Sequence, residues 1–113
     1  MNVRDRSPQT PVKLILNASP DAELLKNRAQ MLNDAGYYTS SAQTSEEVVQ
    51  LAAQMHCDVA LICHSFDLIQ QSSIQQRLRE ISPDIMVVFV KQEMDGNHRF
   101  LVSRIREALR SSA

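Results

Sequence analysis

The chain has 113 residues, 43% of them hydrophobic, with 12 basic and 13 acidic side chains and a net charge near −1. That length supports one hydrophobic core, not two. The even charge balance argues against a nucleic-acid-binding face, and no apolar stretch approaches the roughly 20 residues that span a bilayer.

The first eleven residues, MNVRDRSPQTP, carry two prolines and mixed charge and have no hydrophobic region. They read as a flexible arm over residues 1–11, not a secretory signal, ahead of a single domain over residues 12–113. A cytoplasmic protein is the default expectation. VKLILN (residues 12–17) is a short apolar run and predicts a first strand. Ser19-Pro20-Asp21-Ala22-Glu23 predicts a helix start, with Ser19 as N-cap, proline at the first helical position and acids in the first turn. Ala22, Leu25, Ala29 and Leu32 then recur at helical spacing and predict the face turned toward a sheet. Gly36 is the expected stop.

YYTSSA (37–42) is β-prone but polar, as suits an edge strand. Thr44 or Ser45 caps a second helix whose stripe is Val48, Leu51, Ala52 and Met55. DVALIC (58–63) is nearly all apolar and predicts a central strand covered on both faces. A third helix follows from about Asp67, capped by Ser65 or Asp67, with Ile74, Leu78 and Ile81 inward and Pro83 as its stop. IMVVFV (85–90) is a fourth strand, KQEMDGN (91–97) a loop, and residues 98–110 a last helix burying Leu101, Ile105 and Leu109.

Alternating strands and helices with short connections predict an α/β three-layer sandwich around a parallel sheet of four or five strands, with right-handed crossovers. In such sheets chemistry collects at the carboxyl ends of the strands. Asn17, Cys63 and Lys91 fall at those ends, and none is a carboxylate. Cys57 and Cys63 bracket one strand, so their α-carbons lie about 20 Å apart, too far for a disulfide within it. Neither belongs to a CxxC pair, and His56, His64 and His98 are scattered, so no metal site is expected. LNASPD lacks the glycines of a phosphate-cradling loop.

The segment order resembles the CheY-like, flavodoxin-type receiver domains of two-component response regulators. The likeness covers residues 12–90 well and the final helix loosely, and it is carried by LILNASPD, LNDAGYYTSSAQTSEEVVQLA, CDVALIC and LREISPDIMVVFV. It implies that the helix-four and strand-five region is shortened. Carried over residue by residue, it places the two magnesium-binding acids on Asn17 and Ala18. The phosphoacceptor aspartate falls on Cys63. The switch hydroxyl falls near Val90, with Lys91 next to it. The resemblance thus implies a degenerate pseudo-receiver, because magnesium wants hard oxygen ligands and phosphoryl transfer to protein wants a carboxylate nucleophile.

The function expected is therefore phosphorylation-independent signalling by protein–protein contact, without enzymatic activity or cofactor. Residues 29–76 hold no Lys or Arg, whereas Arg77 to Arg110 hold most of the basic side chains, a bias able to steer a protein partner. Arg104, Arg106 and Arg110 on the last helix are the candidate partner contacts. An apolar fourth strand left at the sheet edge predicts a homodimer unless the last helix folds over it. No nucleic-acid or membrane partner is expected. Alternative readings are a Cys63-based redox or covalent sensor and a small-ligand module in the strand-end crevice.

Overall fold

A computed structural model of the chain describes residues 13–94 and 97–111, with Glu93 and Ser111 described by their backbones alone. The arm expected over residues 1–11, and Asp95 and Gly96 of the last loop, lie outside the described residues. The elements are β1 (Leu14–Ala18), α1 (Ala22–Asp34), β2 (Tyr38–Ala42), α2 (Ser45–Gln54), β3 (Val59–Cys63), α3 (Leu68–Ile81), β4 (Met86–Val90) and α4 (His98–Ser111). A single turn of 3-10 helix, Gln92–Met94, lies in the stretch expected to be loop.

The four strands form one parallel sheet in the order β2-β1-β3-β4. From β1 the chain moves outward to β2 and then returns past β1 to β3, so strand order reverses between β1 and β3. The fully apolar β3 is central and buried at every residue, while the polar β2 lies at an edge, as the sequence pattern predicts. Successive strand residues alternate between faces, and this divides the core in two. Leu16, Ala60 and Ile62 pack with Val48, Ala52, Ile74 and Leu78 of α2 and α3. Ile15, Val59, Leu61 and Val88 pack with Leu32 of α1 and with Leu101 and Ile105 of α4. The result is a three-layer α/β sandwich of the flavodoxin/CheY-like type, with four strands and four helices among the described residues.

Local chemistry fixes the helix ends. Thr44 caps α2 by accepting from the Glu47 N–H, and Asp67 caps α3 in a reciprocal box with Gln70. After α1, Gly36 takes φ +97°. Its N–H bonds Asn33 O at 3.0 Å and the Tyr37 N–H bonds Leu32 O at 3.0 Å, the paired bonds of a Schellman turn.

Three expectations are corrected. The α1 cap is Asp21, whose carboxylate accepts from the Glu23 and Leu24 N–H groups; Pro20 precedes the cap and Ser19 is fully buried. Ser19 is held instead by its N–H to Ala42 O at 3.0 Å, which extends the β1–β2 pairing by one residue. On α1, Ala22 is exposed and Ala29 half-buried, and the buried positions are Leu25, Arg28, Met31 and Leu32. Small alanines at the helix margin fitted the spacing, but the helix turns its longer side chains inward. On α3, Ile81 is the last helical residue and is 38% exposed.

Replacing Ile105, which is fully buried between α4 and the sheet, by alanine is expected to cost about 2–5 kcal/mol in denaturant unfolding. Gly36→Ala is expected to cost about 1 kcal/mol through its left-handed backbone alone, since a Cβ there meets nothing within 4 Å. A cost for Gly36→Ala as large as that for Ile105→Ala would contradict this account.

Candidate functional site

The carboxyl ends of β1 and β3 meet at the point where strand order reverses. Asn17 and Ala18 end β1, Cys63 ends β3, and Cys63 is paired in register with Val90 at the end of β4. Asn17, Ala18, Ser19 and Cys63 are all fully buried, and Val90 is nearly so. The structure therefore gathers four of the residues expected at the site. Lys91 follows at the strand end but is exposed and forms no ion pair among the described residues. The three arginines Arg104, Arg106 and Arg110 lie exposed on α4, away from this cluster, with Arg104 paired to Glu107 at 3.0 Å.

Asn17 acts as a tie between elements. Its Nδ2 donates to Leu25 O of α1 at 3.0 Å and to Ser41 Oγ of β2 at 3.4 Å. The other end of the amide, Oδ1, is buried and has no hydrogen-bond partner among the described residues. A side chain from the middle of the sheet thus pins both the helix and the edge strand beside it. Ser19 continues the tie, its Oγ accepting from the Asp21 N–H at 3.0 Å and so setting the start of α1.

Cys63 has the most distinctive surroundings. The Ser65 N–H donates to its sulfur at 3.4 Å, and the Cys63 and Ser65 side chains lie 3.5 Å apart in a second hydrogen bond. Burial pushes the thiol pKa up. Hydrogen bonding with the Ser19 and Ser65 side chains and the Ser65 N–H, and least with the Arg28 guanidinium, outweighs it and holds the pKa below the ordinary thiol value. Arg28 is only 4% exposed, although it lies on a helix face where the hydrophobic spacing gave no hint of it. The second cysteine behaves in the opposite way. Burial, with the Asp58 carboxylate next to it, raises the Cys57 thiol. Both cysteines are free.

The cation among the groups that lower the Cys63 pKa is Arg28 of α1, and Lys91 is not one of them. None of the donors that lower its pKa is the adjacent His64. Ser19, Ser65 and Arg28 are the residues that sequence reasoning missed. In the sequence the two serines fit helix caps, and a lone arginine between apolar positions on a helix is ordinarily a solvated side chain.

A divalent metal does not fit this cluster. Asn17 offers a single neutral oxygen, Ala18 none, and Cys63 a soft sulfur already held by a guanidinium, whereas magnesium wants an octahedron of hard oxygens. No three His, Cys, Asp or Glu side chains converge among the described residues.

The fold is that of receiver domains. A CheY-like response regulator receiver domain protein from Methanospirillum hungatei superposes with a TM-score of 0.82 at 19% identity, covering 90% of this chain and 97% of that one. A signal receiver domain of an HD domain-containing protein from Pseudomonas fluorescens gives 0.78 at 15% identity, covering 90% and 98%. The receiver domain of the hybrid histidine kinase CckA gives 0.73 at 18% identity, covering 85% and 98%. No protein-family model and no curated protein matches the sequence.

The lowered Cys63 pKa has a consequence for stability. A thiol whose pKa is lower folded than unfolded adds stability above its unfolded pKa, and that stability is lost as pH falls through the folded value. Cys57, shifted the other way, favours the fold while neutral and loses that advantage as pH rises past its unfolded pKa. In a Cys57→Ala background, the stability lost on Cys63→Ala should therefore grow as pH rises toward the ordinary thiol pKa of about 8.5 in denaturant titrations. Arg28→Met should flatten that growth. A loss independent of pH would show that the donors around the sulfur do not favour the thiolate.

Proposed function

We propose that the chain is a receiver-like signalling domain that works by protein–protein contact, without phosphorylation and without catalysing a reaction. The observation that carries this reading is the donor set at the reversal point. Where receiver chemistry needs carboxylates and a metal, this fold buries Asn17, Ala18 and Cys63, with Arg28 against the sulfur. A guanidinium there occupies electrostatic ground that a divalent cation would need. Val90 presents no hydroxyl to a phosphoryl group. The fold, shared with response regulator receiver domains and with the receiver domain of a hybrid histidine kinase, supports a place in signal transduction, and a cytoplasmic setting belongs to the same reading.

The partner surface is assigned to the basic side of the domain. Arg104, Arg106 and Arg110 are exposed on α4, with Arg104 paired to Glu107 at 3.0 Å. Self-association is part of the reading as well, because β4 ends the sheet with no strand on its outer side among the described residues.

One observation favours a second reading, a thiol sensor: the same donors that exclude a cation stabilise a thiolate at Cys63. Its complete burial opposes rapid reaction. Alkylation of the folded protein decides the matter, since a sensor requires Cys63 to react faster than a free thiol at the same pH.

The main reading is tested by NMR titration of the full chain with magnesium and beryllofluoride, a phosphoryl mimic. The amides of Asn17, Ala18 and Cys63 are expected to stay unmoved. A saturable response centred on them would overturn phosphorylation independence.

A further inference from the structure

The open edge of the sheet has a definite chemical character. The Met86 N–H bonds Asp58 O at 3.2 Å, and Val90 O accepts from the His64 N–H at 2.9 Å. Met86, Val88 and Val90 therefore turn their backbone groups toward β3. The intervening residues of a strand turn theirs the other way, so the N–H and C=O of Val87 and Phe89 point outward from the sheet. Beside this edge runs a groove of about 590 Å³ between β4 and α4, lined among others by Val88, Met94 and Phe100. Phe100 is 43% exposed there. Natural edges are blunted by lysine, proline, a bulge or a covering element. The five residues Met-Val-Val-Phe-Val of β4 contain no such residue.

We infer that a second copy of this chain occupies the edge, pairing β4 with β4 in antiparallel fashion so that two four-stranded sheets become one. The inference deepens the contact reading above by naming one partner and its surface. Charge is what selects a second copy over an arbitrary extended peptide. The edge begins beside Asp84 and ends on Lys91, both exposed and of opposite sign. Antiparallel pairing across a two-fold axis brings the acidic end of each copy to the basic end of the other, twice over. Parallel pairing would set like charges together.

The outward groups fix the register. With Val88 on the axis, Val87 lies opposite the Phe89 of the second copy, and each donates its N–H to the other's carbonyl. An aromatic side chain then meets a β-branched one on the α3 side of the sheet, a favourable cross-strand pair. On the other face, Val88 meets its own counterpart beside the exposed Phe100, and Arg104 and Glu107 supply opposite charges near the same groove.

Sedimentation equilibrium of the full chain over a wide concentration series tests the pairing. The expected result is a species of twice the 12.8 kDa monomer mass. Val87→Lys, which places a charge on the edge, should weaken that dimer by roughly tenfold or more. Its far-ultraviolet circular dichroism establishes that the variant is folded. Hydrogen exchange on the unaltered protein needs no variant: the Val87 and Phe89 amides should gain protection as the dimer forms, while the Val88 amide, bonded within the sheet, is protected at every concentration. A monomer throughout, including one whose Val87 and Phe89 amides are already covered by residues 1–12, overturns the inference. So does a dimer that Val87→Lys leaves intact. None of these outcomes bears on the phosphoryl-mimic titration, which tests the contact reading separately.

Discussion

The pairing of β3 with β1 on one side and β4 on the other buries Val59–Cys63 along its whole length. A strand in that position has no water to satisfy the groups at its end, so the residues at its carboxyl terminus must find partners inside the protein. Cys63 does so through Ser65, Ser19 and Arg28. Asn17 does so on the neighbouring strand by bonding Leu25 O and Ser41 Oγ. The polar cluster at the reversal point is thus the terminus of the buried strand, and it ties β1, β3, α1 and β2 together at one end.

The chemistry of that cluster follows from what can be desolvated together. A pair of carboxylates buried there would repel each other unless a metal neutralised them. Here one anion-capable sulfur is set against one guanidinium, with neutral amide and hydroxyl groups around them. Such a set offers a divalent cation one neutral amide oxygen and no carboxylate. Arg28 enters this set from α1 at 4% exposure. An arrangement of this kind favours a fixed structure over a group that changes charge during signalling.

Much of this was legible in the sequence, for identifiable reasons. The continuous apolar run at 58–63 pointed to a doubly covered strand, and polar YYTSSA pointed to an edge. Gly36 marked the end of α1 because only a residue free of a Cβ takes φ +97° without strain. The cap of α1 was misplaced from Asp21 to Ser19, because both residue types cap helices and Pro20 sits at the first helical position only if Ser19 is the cap. Arg28 was invisible for a different reason. Hydrophobic spacing identifies apolar positions of a buried stripe and says nothing of a charged residue drawn into the same stripe by a partner 35 residues later in the chain, Cys63.

By itself the sequence determined the alternation of strands and helices, the central place of β3 and the absence of carboxylates at the strand ends. These depend on local propensity, on the two periodicities and on residue identity, all of which are written along the chain. Tertiary structure decided which cation lies beside Cys63, which serines hold its sulfur, and which backbone groups of β4 face outward. Each of those depends on side chains or strands distant in sequence being brought to one place, and no local pattern encodes the place where they meet.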